Sequence, residues 1–151
     1  MIVRKATLSD IDSIVDFQIK MASETEGIEL DKPTVKLGVS AVIDDNSKGQ
    51  YYVAEINNKV ISSLLTTFEW SDWRNGTILW IQSVYVLQEF RRKGVYRNMY
   101  AHIKNLVLEN NNLNGIRLYA DKSNLPAQKT YRTLGMSPDH YVTFEWLKGF
   151  S

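Results

Sequence analysis

Residues 81 to 97, Ile-Gln-Ser-Val-Tyr-Val-Leu-Gln-Glu-Phe-Arg-Arg-Lys-Gly-Val-Tyr-Arg, read as a strand that runs into three basic residues and a glycine, then into an amphipathic helix. A helix N-terminus leaves backbone N–H groups unpaired and carries partial positive charge, and Arg91, Arg92 and Lys93 add full charges at the same place. The junction therefore has the layout of a phosphate cradle. The chain as a whole is nearly neutral, with eighteen basic against seventeen acidic residues and a formal charge of +1. The basic cluster must act locally, which points to a small phosphate-bearing ligand and away from nucleic acid or an anionic membrane. A nucleic-acid-binding domain built on Arg91 to Lys93 and the neighbouring tyrosines would need a wider basic surface than this composition supplies.

Other chemistries are narrowed by what is missing. No cysteine occurs, which excludes disulfides, zinc-thiolate sites and thiol nucleophiles, and suits a reducing cytoplasm. The two histidines, His102 and His140, form no ligand spacing and no Ser–His–Asp motif, so no metal site is expected. The N-terminus lacks the apolar core of a signal peptide, and no run approaches the roughly 18 apolar residues of a membrane span. Cytoplasmic residence is the expectation.

The elements that must hold the cradle follow from pattern. A chain of 151 residues, 44% hydrophobic, suits a single domain over 1–151. Residues 2 to 6 read as a strand, and Ser9 with Asp12 resembles a capping box opening a helix along Ile11, Ile14, Val15, Gln18, Ile19 and Ala22. The acidic segment Glu24 to Asp31 interrupts, and Pro33 starts a second helix that Asp44 to Gly49 ends. Tyr51 to Ile56, an Asn57-Asn58 turn and Lys59 to Phe68 predict a hairpin. A polar link with Trp70, Asp72, Trp73 and Arg74 closes at Asn75-Gly76 and leads to a third antiparallel strand, Thr77 to Val86. Loops normally avoid tryptophan, so the two rings are expected to pack over the sheet end or an acceptor.

After Gly94, Val95, Tyr96, Met99, Tyr100, Ile103, Leu106 and Val107 fall in one arc of a helix. A strand from Gly115 to Ala120 then implies a right-handed crossover to a parallel neighbour. Asn124, Pro126 and Gly135 start and stop a further helix, and a last strand covers His140 to Leu147, whose edge is open to a second copy. The order β-α-α-β-β-β-α-β-α-β predicts an α/β, or layered α+β, domain: a mixed central sheet with helices on both faces.

In this order and in two motifs the chain resembles the GNAT superfamily of N-acetyltransferases, over nearly its whole length. The family signature Gln/Arg-x-x-Gly-x-Gly/Ala falls on Arg91-Arg92-Lys93-Gly94-Val95-Tyr96, with Tyr96 where a small residue is usual. The family pattern Asn-x-x-Ala-x-x-x-Tyr-x-x-x-Gly-Phe falls on Asn124 to Met136, with Met136 in place of the aromatic. The resemblance implies acetyl-coenzyme A as cofactor. Backbone groups of the Val84-Tyr85-Val86 strand would pair with its pantetheine arm, amides from Arg92 to Tyr96 would hold its pyrophosphate, and Asn124 would steady the arm. Tyr96 lies in the apolar arc and is expected to pack inward, leaving the amides free.

The activity implied is transfer of an acetyl group to a primary amine, on a small molecule or a peptide, by direct attack in a ternary complex. Such a reaction needs a neutral amine, a donor for the oxyanion and a proton for the departing thiolate. Tyr131 shares a helix face with Ala127 and Asn124, and its phenol suits the last of these roles. For the base, Glu69 is preferred, directly or through a water. Asp72 and Trp73 at the end of the third strand, Gln82 on the central strand and Glu26 between the first two helices are the expected acceptor contacts. Gln82 and Val84 share a side of the strand unless a bulge intervenes. The competing reading is an acyl-coenzyme A-binding regulatory module with weak or no catalysis, since Gln82 stands where the family often places a glutamate.

Overall fold

The computed structural model describes residues 1–149. They fall into two compact units, Met1–Leu118 and a second beginning at Tyr119. The first unit contains β1 (Ile2–Lys5), α1 (Ile11–Glu26), α2 (Lys32–Asp44), β2 (Gln50–Ile56), β3 (Lys59–Ser71), β4 (Gly76–Val86), α3 (Val95–Glu109) and β5 (Leu113–Arg117). Its strands form one sheet in the order β1-β2-β3-β4-β5, antiparallel up to β4, while β5 runs parallel to β4. The mixed sheet with its crossover helix is the α/β architecture that the pattern predicts.

Both faces of the sheet are covered, and β2 shows why its sequence lacks polar alternation. Tyr51 and Val53 join Ile14 and Val15 of α1 and Val39 of α2 in one buried cluster. Tyr52, pointing the other way, meets the ring of His102 in α3 at 5.5 Å between centroids. A strand buried on both sides reads as a continuous apolar run. The β2–β3 hairpin turns on Asn57 and Asn58, at φ 49° and 63°, a conformation that asparagine tolerates and that matches the strand twist.

The entry to α1 differs from the expected Ser9–Asp12 box. Thr7 precedes a short 3-10 turn, Leu8–Asp10, and the Thr7 amide donates to the Asp10 carboxylate at 2.7 Å. Asp10 is only 3% exposed, and it accepts both terminal nitrogens of Arg4, at 2.8 and 3.0 Å, while Arg4 also pairs with Glu55 of β2. A buried carboxylate needs such partners, so the shifted cap ties β1, β2 and α1 together.

Two further boundaries move. Strand β3 continues to Ser71, so Glu69 and Trp70 are ladder residues opposite Ile78 and Thr77, and the link shrinks to a tight turn. Trp70 and Trp73 are 64% and 90% exposed, which corrects the expectation that their rings pack over the sheet end. Helix α1 runs through Glu26, placing Glu24 and Glu26 in its last turn and not in the link.

The second unit holds α4 (Leu125–Thr133). Asn124 caps it by accepting from the Ala127 amide at 3.2 Å, and Gly135 ends it at φ 90°. The strand expected over His140 to Leu147 is absent: these residues have no regular secondary structure, and Tyr141, Val142, Phe144 and Trp146 are exposed. Their alternation supplies β propensity, but a strand exists only through a ladder with a neighbour, and none is formed.

Candidate cofactor and acceptor site

The site is built on an irregularity in β4. Leu65 pairs with Gln82 and Ser63 with Tyr85, so Ser83 and Val84 together stand opposite the single residue Leu64. This is a β-bulge, and Ser83 adopts φ 54° to make it. A bulge reverses the side-chain alternation beyond it. Gln82 therefore shares a face with Tyr85 and not with Val84, the face covered by α1. That corrects the expected Gln82–Val84 pairing.

The bulge coincides with the end of the β4–β5 ladder, whose last pair is Trp80 with Arg117. From Ile81 to Val86, among the described residues, no strand pairs with the β5-facing edge of β4. The edge is a row of backbone donors and acceptors suited to an extended chain of amides. On the opposite edge β4 stays fixed: Ser62 of β3, fully buried, donates its hydroxyl to the Tyr85 carbonyl at 2.7 Å and sits 3.0 Å from the Met99 sulfur of α3.

Past Val86 the chain makes a 3-10 turn over Gln88–Phe90 and enters the basic segment. Arg92 and Gly94 both take left-handed conformations, φ 62° and 77°, immediately before α3. The first intrahelical bond is Asn98 N–H to the Gly94 carbonyl at 3.1 Å, so the amides of Val95, Tyr96 and Arg97 belong to the helix's open first turn. The unpaired amides of a helix's first turn bind anions. Arg92 and Lys93 are exposed beside this turn. Val95 is buried, while Tyr96 is half-buried with its ring 6.3 Å from that of Tyr100, so it packs along the helix as the apolar arc requires.

The Tyr85 side chain is engaged with α1. Its ring is buried against Phe17 of α1, with centroids 5.3 Å apart, and its hydroxyl donates to Glu24 at 2.9 Å. Burial, reinforced by that bond to a carboxylate, pushes the phenol up to about 12. Arg91 is likewise engaged, donating to the Val86 carbonyl and to Glu24. Neither Glu24 nor Phe17 stands out in the sequence, because their partners lie more than sixty residues away.

The carboxylates expected to serve as base or acceptor contacts fare differently. Glu69 accepts from the Trp80 indole at 2.8 Å and forms an ion pair with Arg117 of β5. The Trp80 bond first, and Arg117 second, hold its carboxyl below the usual carboxylate range. A carboxylate so stabilised in its charged form is a weaker proton acceptor than a free one. It also pairs with Ile78, four residues before Gln82, or about 13 Å along the strand. Asp72 and Trp73 lie in the exposed turn before β4, roughly 30 Å along the strand from the basic turn, so the sheet does not bring them to it. Glu26 is exposed at the end of α1. Gln82 donates to Thr67 at 2.8 Å on the α1-facing side of the sheet.

In the second unit Tyr131 lies on α4, half-buried, and burial raises its phenol above the ordinary value. Asn124 carries the cap described above. Among the described residues no group of three His, Asp or Glu side chains converges as a metal site, and no helix is long and apolar enough to cross a membrane.

An opened parallel pair of strands, a bulged central strand and an amide-rich turn before a helix define an acyl-transferase type of α/β domain. The chain belongs to the acetyltransferase (GNAT) family, whose model matches residues 15–136. Family members use acetyl-coenzyme A. Among solved structures, a possible acetyltransferase from Clostridium difficile 630 is 43% identical over 97% of this chain and 96% of that one, with a TM-score of 0.91. A predicted acetyltransferase from Clostridium acetobutylicum, solved with acetyl-CoA, is 24% identical over 95% of both chains at a TM-score of 0.72. An aminoglycoside acetyltransferase from an uncultured soil sample, in complex with sisomicin, is 14% identical over 97% and 95% at 0.76. The last two share the fold. No curated protein matches the chain.

Proposed function

We propose that residues 1–151 act as one acetyl-CoA-dependent N-acetyltransferase domain that transfers an acetyl group to a primary amine in a ternary complex, in the cytoplasm. The observation that carries this reading is the β5-facing edge of β4 from Ile81 to Val86, with which no strand pairs among the described residues, followed by the left-handed turn at Arg92 and Gly94. An arm of alternating amides fits the edge, and a pyrophosphate fits the turn. The bound cofactor supplies an activated acyl thioester.

On this reading the Val84 and Val86 backbone groups orient the pantetheine arm, and the amides from Arg92 to Tyr96, with the Arg92 and Lys93 charges, neutralise the pyrophosphate. Asn124 keeps α4 in its capped form. Tyr131 holds a proton at its phenol oxygen for the departing thiolate; a phenol is already neutral at physiological pH, and burial moves this one further in the same direction. Gln82 and Thr67 line the acceptor's approach. With Glu69 tied to Arg117, the amine enters as its free base and its proton passes to water. No cysteine is present to carry an acyl-enzyme, which agrees with direct attack.

The engaged state of Glu69 also supports the second reading, a binding module of little catalytic power. Thiol release from acetyl-CoA, followed with a broad panel of amines, separates the two. Amine-dependent release is expected. Tight acetyl-CoA binding with no release above the buffer rate for any amine would favour the module.

A further inference from the structure

The three basic residues of the turn are not equivalent. All three are exposed, but Arg91 alone has a carboxylate, a backbone carbonyl and an aromatic ring as partners, while Lys93 lies 5.6 Å from the Phe90 ring. The Arg91 Nε donates to the Val86 carbonyl at 2.9 Å, its Nη2 pairs with Glu24 at 2.7 Å, and its guanidinium lies over the Tyr85 ring at 5.2 Å. Glu24 completes the arrangement from the last turn of α1. Its Oε2 takes the Arg91 bond, its Oε1 takes the Tyr85 hydroxyl at 2.9 Å, and Tyr85 stacks on Phe17 of the same helix.

These contacts close a ring through three parts of the fold: the end of α1, β4 just beyond its bulge, and the start of the basic turn. The pair is ionised throughout the neutral range, since the Arg91 bond, opposed by slight burial, holds the Glu24 carboxyl below its usual range. A carboxylate at 2.7 Å largely cancels the guanidinium charge that a phosphate would otherwise feel. With Nε given to the Val86 carbonyl and Nη2 to Glu24, Arg91 could reach a phosphate only through its remaining N–H groups, beside the Glu24 charge.

We propose that Glu24 and Arg91 are a positioning pair, setting the Val86 carbonyl and the end of α1 for the cofactor's amide arm, and that Arg91 is not itself a phosphate ligand. This rests on the cofactor reading above and assigns different duties to neighbouring basic residues: Arg91 organises the edge, while Arg92, Lys93 and the α3 amides face the anion.

The two roles for Arg91 predict opposite signs for one substitution. Glu24→Gln removes the competing carboxylate and leaves Arg91 charged. A phosphate-binding Arg91, set free, would then hold coenzyme A more tightly, whereas a positioning pair loses its anchor and binding weakens. The test is calorimetry of coenzyme A binding by the full chain, by E24Q, by R91M and by the double variant, at two salt concentrations, with melting temperatures recorded alongside. Each single variant is expected to weaken binding about fivefold. The double variant should be no worse than either, and the salt dependence unchanged, because no phosphate contact is lost. E24Q binding as tightly as the unaltered protein or more so would overturn the proposal. So would an R91M loss far larger than that of E24Q with a shallower salt dependence. No binding by the unaltered protein would overturn the cofactor reading and this one with it, an outcome recognisable because it appears before any substitution.

Discussion

Replacing Tyr131 with phenylalanine is expected to lower amine-dependent thiol release about a hundredfold while changing acetyl-CoA affinity by less than about twofold. The substitution removes one oxygen and keeps the ring, so packing on α4 survives and the motif from Asn124 to Met136 keeps its shape. On the proposed mechanism, what is lost is the proton held for the leaving sulfur. A phenol is already neutral at physiological pH at its ordinary value, and burial moves this one further in the same direction. Turnover measured beside calorimetric affinity separates the effects. Unchanged turnover would remove the acid role, and equal losses in turnover and affinity would make Tyr131 a packing residue.

The largest effect on stability is expected at Asp10. Replacing it with asparagine keeps the volume but removes the charge that holds Arg4 and the Thr7 amide, leaving Glu55 as the carboxylate that pairs with Arg4. A cost of about 2–3 kcal/mol follows from losing charge-assisted bonds at a buried position, which lowers the melting temperature by roughly 5–10 °C. Burial alone would raise the Asp10 carboxyl; the Arg4 and Thr7 bonds outweigh it and hold the group below its ordinary value of 3.8. A depressed folded pKa means the contribution is fully present above that ordinary value and is lost as pH falls through the folded one. The gap in melting temperature between the two proteins should therefore be flat from neutral pH to about pH 5 and shrink below about pH 4. A gap independent of pH down to strong acid would show that the charge is not what stabilises.

How much of this was legible in the residues depends on whether the cause is local. The hairpin turn at Asn57-Asn58, the crossover through α3 and the Asn124 cap are written in short-range chemistry, and the structure has each of them. The anion turn is similar, since Gly94 supplies one of its two left-handed residues. The bulge was not legible, because its positive φ falls on Ser83, where glycine would have marked it. Nor was the extent of β3: Glu69 to Ser71 look like loop residues, and they become strand because β4 pairs with them. The Glu24–Arg91 pair spans sixty-seven positions. The apolar alternation from Tyr141 to Leu147 promised a strand, yet propensity without a neighbouring edge makes none.

The account turns on where the cofactor's arm and phosphates lie. Amide hydrogen exchange of the full chain, with and without saturating acetyl-CoA, addresses that directly. Slowed exchange is expected in two stretches, the β4 edge from Ser83 to Val86 and the first turn of α3 from Arg92 to Arg97, with the Asp72–Asn75 turn unaffected. Binding that leaves both stretches exchanging as before, or that protects the Asp72–Asn75 turn in their place, would contradict it.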